Sequence, residues 1–429
     1  MMMPLFLTML LLLLPTSSVA DTGNPGPPPS NEYQNCLYCK PPRKPTRANP
    51  QKIPPASACR CAFENGSSYP NGSTASYATV ATECGPVWLS GGHGSPIKTV
   101  ANGVNYNMFP SDALLYRLTN DTMYAARATQ SLVWFVDAFL RKELVDAVNH
   151  CYEVLATYTT LRDTGVDAYA GNATLLSGFR AAMLHNCYDL LPDDRGTEAV
   201  HNHGIDYALD LTYLLKVFPD IVDANTSKIW RAAANQTWQD WLHGHALMEN
   251  SLNYNGISLT RLIALAQVTP GGAEDMRSAQ WRQLVEHYVT EIATNGIMPS
   301  WGGSLQNDGC ASTEAAVPFV YFFERAATDF NEPKFAWAAR ATFAAAIPAS
   351  PPKPSEWLIR AALEVQQRDA MGKSIDVPDF LDVSASVTWR NTYAAPVLDK
   401  LIVAASRRPG SAYAMLEAFA VPIVRQHLA

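Results

Sequence analysis

The chain has 429 residues, 48% hydrophobic and 17% charged, enough for the packed core of one large or two ordinary domains and too apolar for a disordered chain. A formal net charge of -7 gives no support to a nucleic-acid partner. An anionic ligand would need a local pocket of hydrogen-bond donors or cations.

Residues 2–14 form an apolar run, followed by Pro15 and the small residues Ser17, Ser18, Val19 and Ala20. This is the pattern of a secretory signal peptide cleaved after Ala20, although the usual basic start is missing. No later apolar run is long enough to span a bilayer. Asn-x-Ser/Thr acceptors begin at Asn65, Asn71, Asn120, Asn172, Asn225 and Asn235, fitting a secreted, extracellular glycoprotein. In that compartment the eight cysteines are disulfide candidates. Cys36, Cys39, Cys59, Cys61 and Cys84 crowd the N-terminal part, leaving Cys151, Cys187 and Cys310 in the body. A zinc reading of the first four is weaker, because Cys59-x-Cys61 is tighter than the common ligand spacing.

Residues 21–110 read as an irregular arm rich in Pro and Gly, unable to build helix or central strand and pinned by disulfides. From Ser111 the apolar residues take up helical spacing. Helices are predicted over 111–119, 123–146, 147–162, 173–189, 204–218, 227–247, 256–267, 275–294, 312–329, 333–347 and 355–371. Turn chemistry separates them at Asp163-Thr164-Gly165, Pro192-Asp193-Asp194, Phe218-Pro219-Asp220 and Thr269-Pro270-Gly271-Gly272. The expected fold class is all-α, a body of helix hairpins over 111–378. Periodicity leaves open whether the hairpins close into a ring or form an irregular bundle. The tail, 379–429, has segments that read as short strands or helix ends.

Two junctions concentrate polar chemistry. His201-Asn202-His203-Gly204-Ile205-Asp206-Tyr207 opens a helix, so a rigid element would project imidazole and carboxamide groups into a cleft. Glu249-Asn250-Ser251-Leu252-Asn253-Tyr254-Asn255-Gly256 reads as a second polar loop before a helix, and Gly296-Ile297-Met298-Pro299-Ser300-Trp301-Gly302 as a third loop with an aromatic wall.

Asn202-His203-Gly204 with Tyr207, the segment from Glu249 to Tyr254, and the loop ending in Trp301-Gly302 together resemble the site segments of alginate-lyase and heparinase-type polysaccharide lyases. The resemblance covers roughly residues 110–420 on short motifs. Leu398 to Val403 and Pro409 to Tyr413 are similar to the start of the β-sandwich that follows the helical toroid in heparinase-like members. The resemblance implies an incomplete (α/α) toroid acting on an acidic, uronic-acid polysaccharide by β-elimination, without metal or other cofactor. Asn202 and His203 would neutralise the sugar carboxylate while Tyr254 serves as general base or acid. His201, Tyr207, Glu249, Asn250 and Trp301 would bind substrate. Three departures stand out: Gly303 replaces an expected Asp, the sequence stops where the β-sandwich would be expected to begin, and no Arg precedes Tyr254 in its loop.

The chemistry is coherent on its own terms. Removing the C5 proton of a uronate requires donors on the carboxylate where charge develops. A phenol, with an ordinary pKa of about 10, needs a neighbouring cation or donor to act as base near neutrality. Plainer readings exist for each residue: His203 as a helix-start histidine bonding backbone, Tyr254 as a half-buried interface tyrosine, Glu249 as a backbone cap, His201 as a solvated residue, Trp301 as core. His243-Gly244-His245 is too closely spaced for a helix-face metal pair. The rival functions are a glycoside hydrolase, for which Asp206, Glu249 and Asp308 are the available carboxylates, and an inactive carbohydrate-binding remnant of a lyase.

Overall fold

The helical spacing that starts at Ser111 produces helices through most of the chain. The computed structural model describes residues 109–140, 151–188, 202–244, 252–292, 296, 298, 316–349, 356–379, 381, 386–392, 395–404 and 413–417. Its helices are α1 (Phe109–Thr119), α2 (Thr122–Leu140), α3 (Cys151–Asp163), α4 (Ala173–Tyr188), α5 (Asn202–Val217), α6 (Ala224–Gly244), α7 (Leu252–Ala266), α8 (Gly272–Asp275), α9 (Ala279–Glu291), α10 (Val317–Phe330), α11 (Pro333–Ala349) and α12 (Glu356–Ala370). The strands β1 (Ser386–Thr392), β2 (Ala395–Ala404) and β3 (Tyr413–Glu417) follow. Among the described residues no helix is long and apolar enough to cross a membrane.

The body is therefore helical, as its spacing implies, with local differences. The helix expected over 275–294 is α9, Ala279–Glu291, shorter at both ends; the Ser278 hydroxyl accepts the backbone N–H of Trp281 and so sets its start, and the short α8 precedes it. The loop expected over Glu249–Gly256 is helical from Leu252 onward. Tertiary packing explains that extension: Leu252 is fully buried, and the buried Asn255 carboxamide accepts the Tyr288 hydroxyl of α9 at 2.8 Å. The tail forms an antiparallel sheet in the order β1-β2-β3, with Ser386 opposite Ile402 and Ala404 opposite Tyr413, and β1 lies against α9. Residues 1–108, to which the expected leader and most of the arm with its cysteines belong, and Cys310 and Asp308 lie outside the described residues.

Which helices touch follows an alternating pattern. α1 packs on α3, α3 on α5, α5 on α7, α7 on α10 and α10 on α12, and α12 returns to α1. α2, α4, α6, α9 and α11 pack on members of that series. The return contact buries Leu114, Leu115 and Tyr124 with Ile359. One apolar core, around Phe135, Phe179 and Trp230, draws on α1 to α6; a larger one, around Trp238, Trp241, Trp281 and Phe322, draws on α3, α5 to α7 and α9 to α12. Each such fully buried side chain contributes about 1.5–3 kcal/mol relative to exposure. At Gly256 a Cβ would lie 3.0 Å from the Phe319 ring and 3.1 Å from Pro318, so this glycine lets α7 approach α10 closely.

Side-chain contacts fix the helix directions. Cys151 at the start of α3 is disulfide-bonded to Cys187 near the end of α4, with Cα atoms 6.0 Å apart, so these helices run antiparallel. At their other end Tyr158 of α3 meets Tyr169, Phe179 and Phe218, with ring centroids 5.9, 5.1 and 6.0 Å away. Arg180 of α4 lies over Phe218 and binds Asp220, so α5 finishes at that same end. Phe135 with Phe179, and Phe139 with His185, set α2 parallel to α4.

One buried group makes the fold sensitive to pH. Asp112 of α1 faces Arg127 of α2 at 3.3 Å and is 2% exposed; burial raises its pKa from 3.8 to about 7, against the pull of Arg127. The folded state thus holds a proton that the unfolded chain has released, so this group's contribution to stability falls as pH rises from about 4 to about 7. In urea titrations Asp112→Asn should gain stability relative to the parent across that interval and no further above it. A difference that stays flat from pH 4 to pH 8 would refute the assignment.

Candidate functional site

The start of α5 carries the polar cluster on successive turns. Asn202 is its first residue and is buried, and its carboxamide oxygen has no hydrogen-bond partner. His203 is exposed, and its ring stacks with that of Tyr207 one turn later, centroids 6.3 Å apart and planes inclined by 30°. Asp206 and Asp210 continue the same helix one and two turns beyond Asn202.

Helix α7, which packs on α5, carries Tyr254 in its first turn, half-buried, and Arg261 two turns later. The Arg261 guanidinium connects four helices. Its Nε lies 3.1 Å from the Asp206 carboxylate of α5, and its Nη2 donates to the Glu153 carboxylate of α3. It also sits over the Tyr152 ring at 5.2 Å and the Trp357 ring of α12 at 5.7 Å. Arg360 of α12 pairs with Glu356 at 3.0 Å and donates from Nη2 to the Tyr152 hydroxyl at 3.2 Å. Tyr321 of α10 stacks on Trp357, centroids 6.4 Å apart.

No family model matches the chain, and no curated protein matches it. The roles of these residues are therefore argued from their surroundings.

Burial, followed by the charges of Glu153 and Asp206, holds the Asp210 carboxyl well above the usual carboxylate range, against the Tyr152 amide and Arg261. Its Oδ1 accepts the backbone N–H of Tyr152 at 2.6 Å, so Asp210 satisfies an otherwise orphaned donor in the first turn of α3. That is a structural task. Burial also raises the Tyr152 phenol to about 12, so it stays protonated at neutral pH. Burial opposes the charge on Arg261, but Glu153, Asp206 and Glu356 outweigh it and hold its pKa above the ordinary value. Tyr207 is raised by burial, then by Asp206 and Asp210.

The carboxylates of Glu153, Asp206 and Glu356 already match the two guanidiniums, so Arg261 and Arg360 do not form an open anion site. They hold helices in place. Arg261 in particular ties α5, which begins with Asn202 and His203, to α7, which carries Tyr254 in its first turn. Among the described residues no group of three or more His, Cys, Asp or Glu side chains could hold a metal ion.

Of the residues singled out in the sequence, Asn202, His203 and Tyr207 share the first turns of α5, and Tyr254 stands on the adjacent helix. His201, Glu249, Asn250 and Trp301 lie outside the described residues. Sequence reasoning passed over Tyr152, Glu153, Arg261, Trp357 and Arg360. The lone Arg261 in the apolar run Ile257-Ser258-Leu259-Thr260-Arg261-Leu262-Ile263 was the available signal, since a cation on a buried face needs partners.

Proposed function

We propose that the chain is a secreted polysaccharide lyase that cleaves a uronic-acid polymer by β-elimination within an (α/α) toroid. The observation that carries the reading is the packing of α5 against α7, tied by Arg261 and Asp206, with Asn202 and His203 in the first turn of one helix and Tyr254 in the first turn of the other. The circuit from α1 through α3, α5, α7, α10 and α12 back to α1 supports the toroid. Asn202 and His203 donate hydrogen bonds to the sugar carboxylate. Tyr254 takes the C5 proton or returns one to the departing O4 oxygen, and electrons from the broken C–H bond form the C4–C5 double bond as the C4–O4 bond breaks. Residues 1–20 act as the leader to the secretory route.

One observation favours a second reading, a glycoside hydrolase: the Asp210 carboxyl, held above the usual carboxylate range by burial, lies in the field of the Glu153 and Asp206 carboxylates, and hydrolysis uses such a pairing of acid and base. Asp210 is buried and engaged with α3, which weighs against it as an acid that reaches substrate.

The products decide. Incubation with alginate, heparan sulfate and other uronic-acid polymers should yield chain ends that absorb in the ultraviolet, the mark of an unsaturated uronate. New reducing ends without that absorbance would establish the hydrolase. Binding without cleavage of any polymer would leave a carbohydrate-binding protein and overturn both enzymatic readings.

A further inference from the structure

The four Asn-x-Ser/Thr acceptors within the described residues, Asn120, Asn172, Asn225 and Asn235, all have exposed asparagines. Three of them share a location. Asn120 follows the end of α1 in a left-handed conformation with φ 59°, Asn172 stands between α3 and α4, and Asn225 lies in the first turn of α6, just after α5. The disulfide, the Tyr158–Phe218 contact and the parallel course of α2 and α4 bring these three connections to one end of the helical body. Asn202 and the start of α5 lie at the other, roughly 24 Å away at 1.5 Å per residue over a 16-residue helix.

A second observation points to the same end. Met123, 48% exposed, follows Asn120 by three residues, and Ile229, 52% exposed, follows Asn225 by one helical turn. Each of these apolar side chains stands within about one helical turn of an acceptor asparagine, where an attached sugar chain would overlie it. Nor does the acceptor chemistry conflict with the local structure at Asn172. Its Oδ1 accepts the Leu175 N–H at 3.1 Å, and glycosylation, which takes place at Nδ2, leaves that cap in place.

We propose that Asn120, Asn172 and Asn225 carry N-linked glycans that together cover the end at which α1, α3 and α5 finish, shielding Met123 and Ile229. In each, the asparagine Nδ2 loses a proton and bonds to the anomeric carbon of a lipid-diphosphate-linked oligosaccharide, whose C–O bond to the diphosphate breaks and releases the lipid diphosphate. Asn235, on the exposed face of α6, differs: the Thr237 of its acceptor is 1% exposed, so it can be modified only before α6 packs.

The proposal rests on passage through the secretory route, and the experiment separates the two. The full chain is expressed in a eukaryotic cell line, once with its own residues 1–20 and once with a heterologous cleavable leader in their place. Both products are treated with peptide-N-glycosidase in heavy-oxygen water and mapped. Heavy-labelled aspartate is expected at 120, 172 and 225. Asn120→Gln, Asn172→Gln and Asn225→Gln should each remove one glycan's mass, and the triple variant should self-associate more than the parent in sedimentation. Glycosylation only with the heterologous leader would refute secretion by this chain's own leader while upholding the placement. Translocated protein with these three asparagines unlabelled, or labelled without any rise in self-association when they are replaced, would overturn it.

Discussion

Arg261→Met should cost the protein about 3–5 kcal/mol of unfolding free energy, the usual penalty for leaving buried carboxylates without their cation. The side chain is 11% exposed and faces Glu153, 8% exposed, and Asp206, 17% exposed, with Asp210 close enough to raise the cost of a second charge. Methionine keeps the length and the contact with Tyr152 and Trp357 but removes every donor. The loss is electrostatic, so Glu153→Gln added to Arg261→Met should recover part of it, whereas a packing defect would add to it. Urea denaturation followed by circular dichroism measures both. A loss under about 1 kcal/mol would place this group among surface pairs and refute its role in joining α3, α5 and α7.

Tyr254→Phe should lower the rate of ultraviolet-detected cleavage roughly 10²–10⁴-fold, the range that a positioned acid or base contributes. The fold should be unchanged, because Tyr254 is half-buried on the first turn of α7 and the ring remains. Substrate affinity should hold as well, because in the proposed mechanism Asn202 and His203 on α5, not Tyr254, bind the carboxylate. His203→Ala, by contrast, should weaken both binding and turnover. Activity of Tyr254→Phe within a fewfold of the parent, at full stability, would show that another group moves the proton.

Helix positions were legible in the sequence because the apolar faces are long and their ends are marked by turn residues such as Gly165, Pro219 and Gly271. The start of α7 was not legible. Asn253, Tyr254, Asn255 and Gly256 look like a polar loop, and only tertiary partners, Tyr288 for Asn255 and Phe319 beside Gly256, make that stretch a close-packed helix. The start of α9 shows the opposite balance, a local cap at Ser278 placing it four residues later than the expected 275. The polar cluster at the start of α5 was visible as residue types. Its connection to α7 was not, because it runs through Arg261, whose partners Glu153 and Trp357 are 108 and 96 positions away in sequence.

The return of α12 onto α1 sets an order of events during biosynthesis. Tyr152 and Arg261 are synthesised long before Trp357 and Arg360, the aromatic and cationic groups that complete their surroundings. Until residues 356–370 have left the ribosome, Leu114 and Leu115 lack the Ile359 that covers them. Closure of this contact therefore waits for α12 and is slow, as pairings distant in sequence are. Nascent chains arrested before Glu356 should bind chaperones through the open face of α1 and release them once α12 is added.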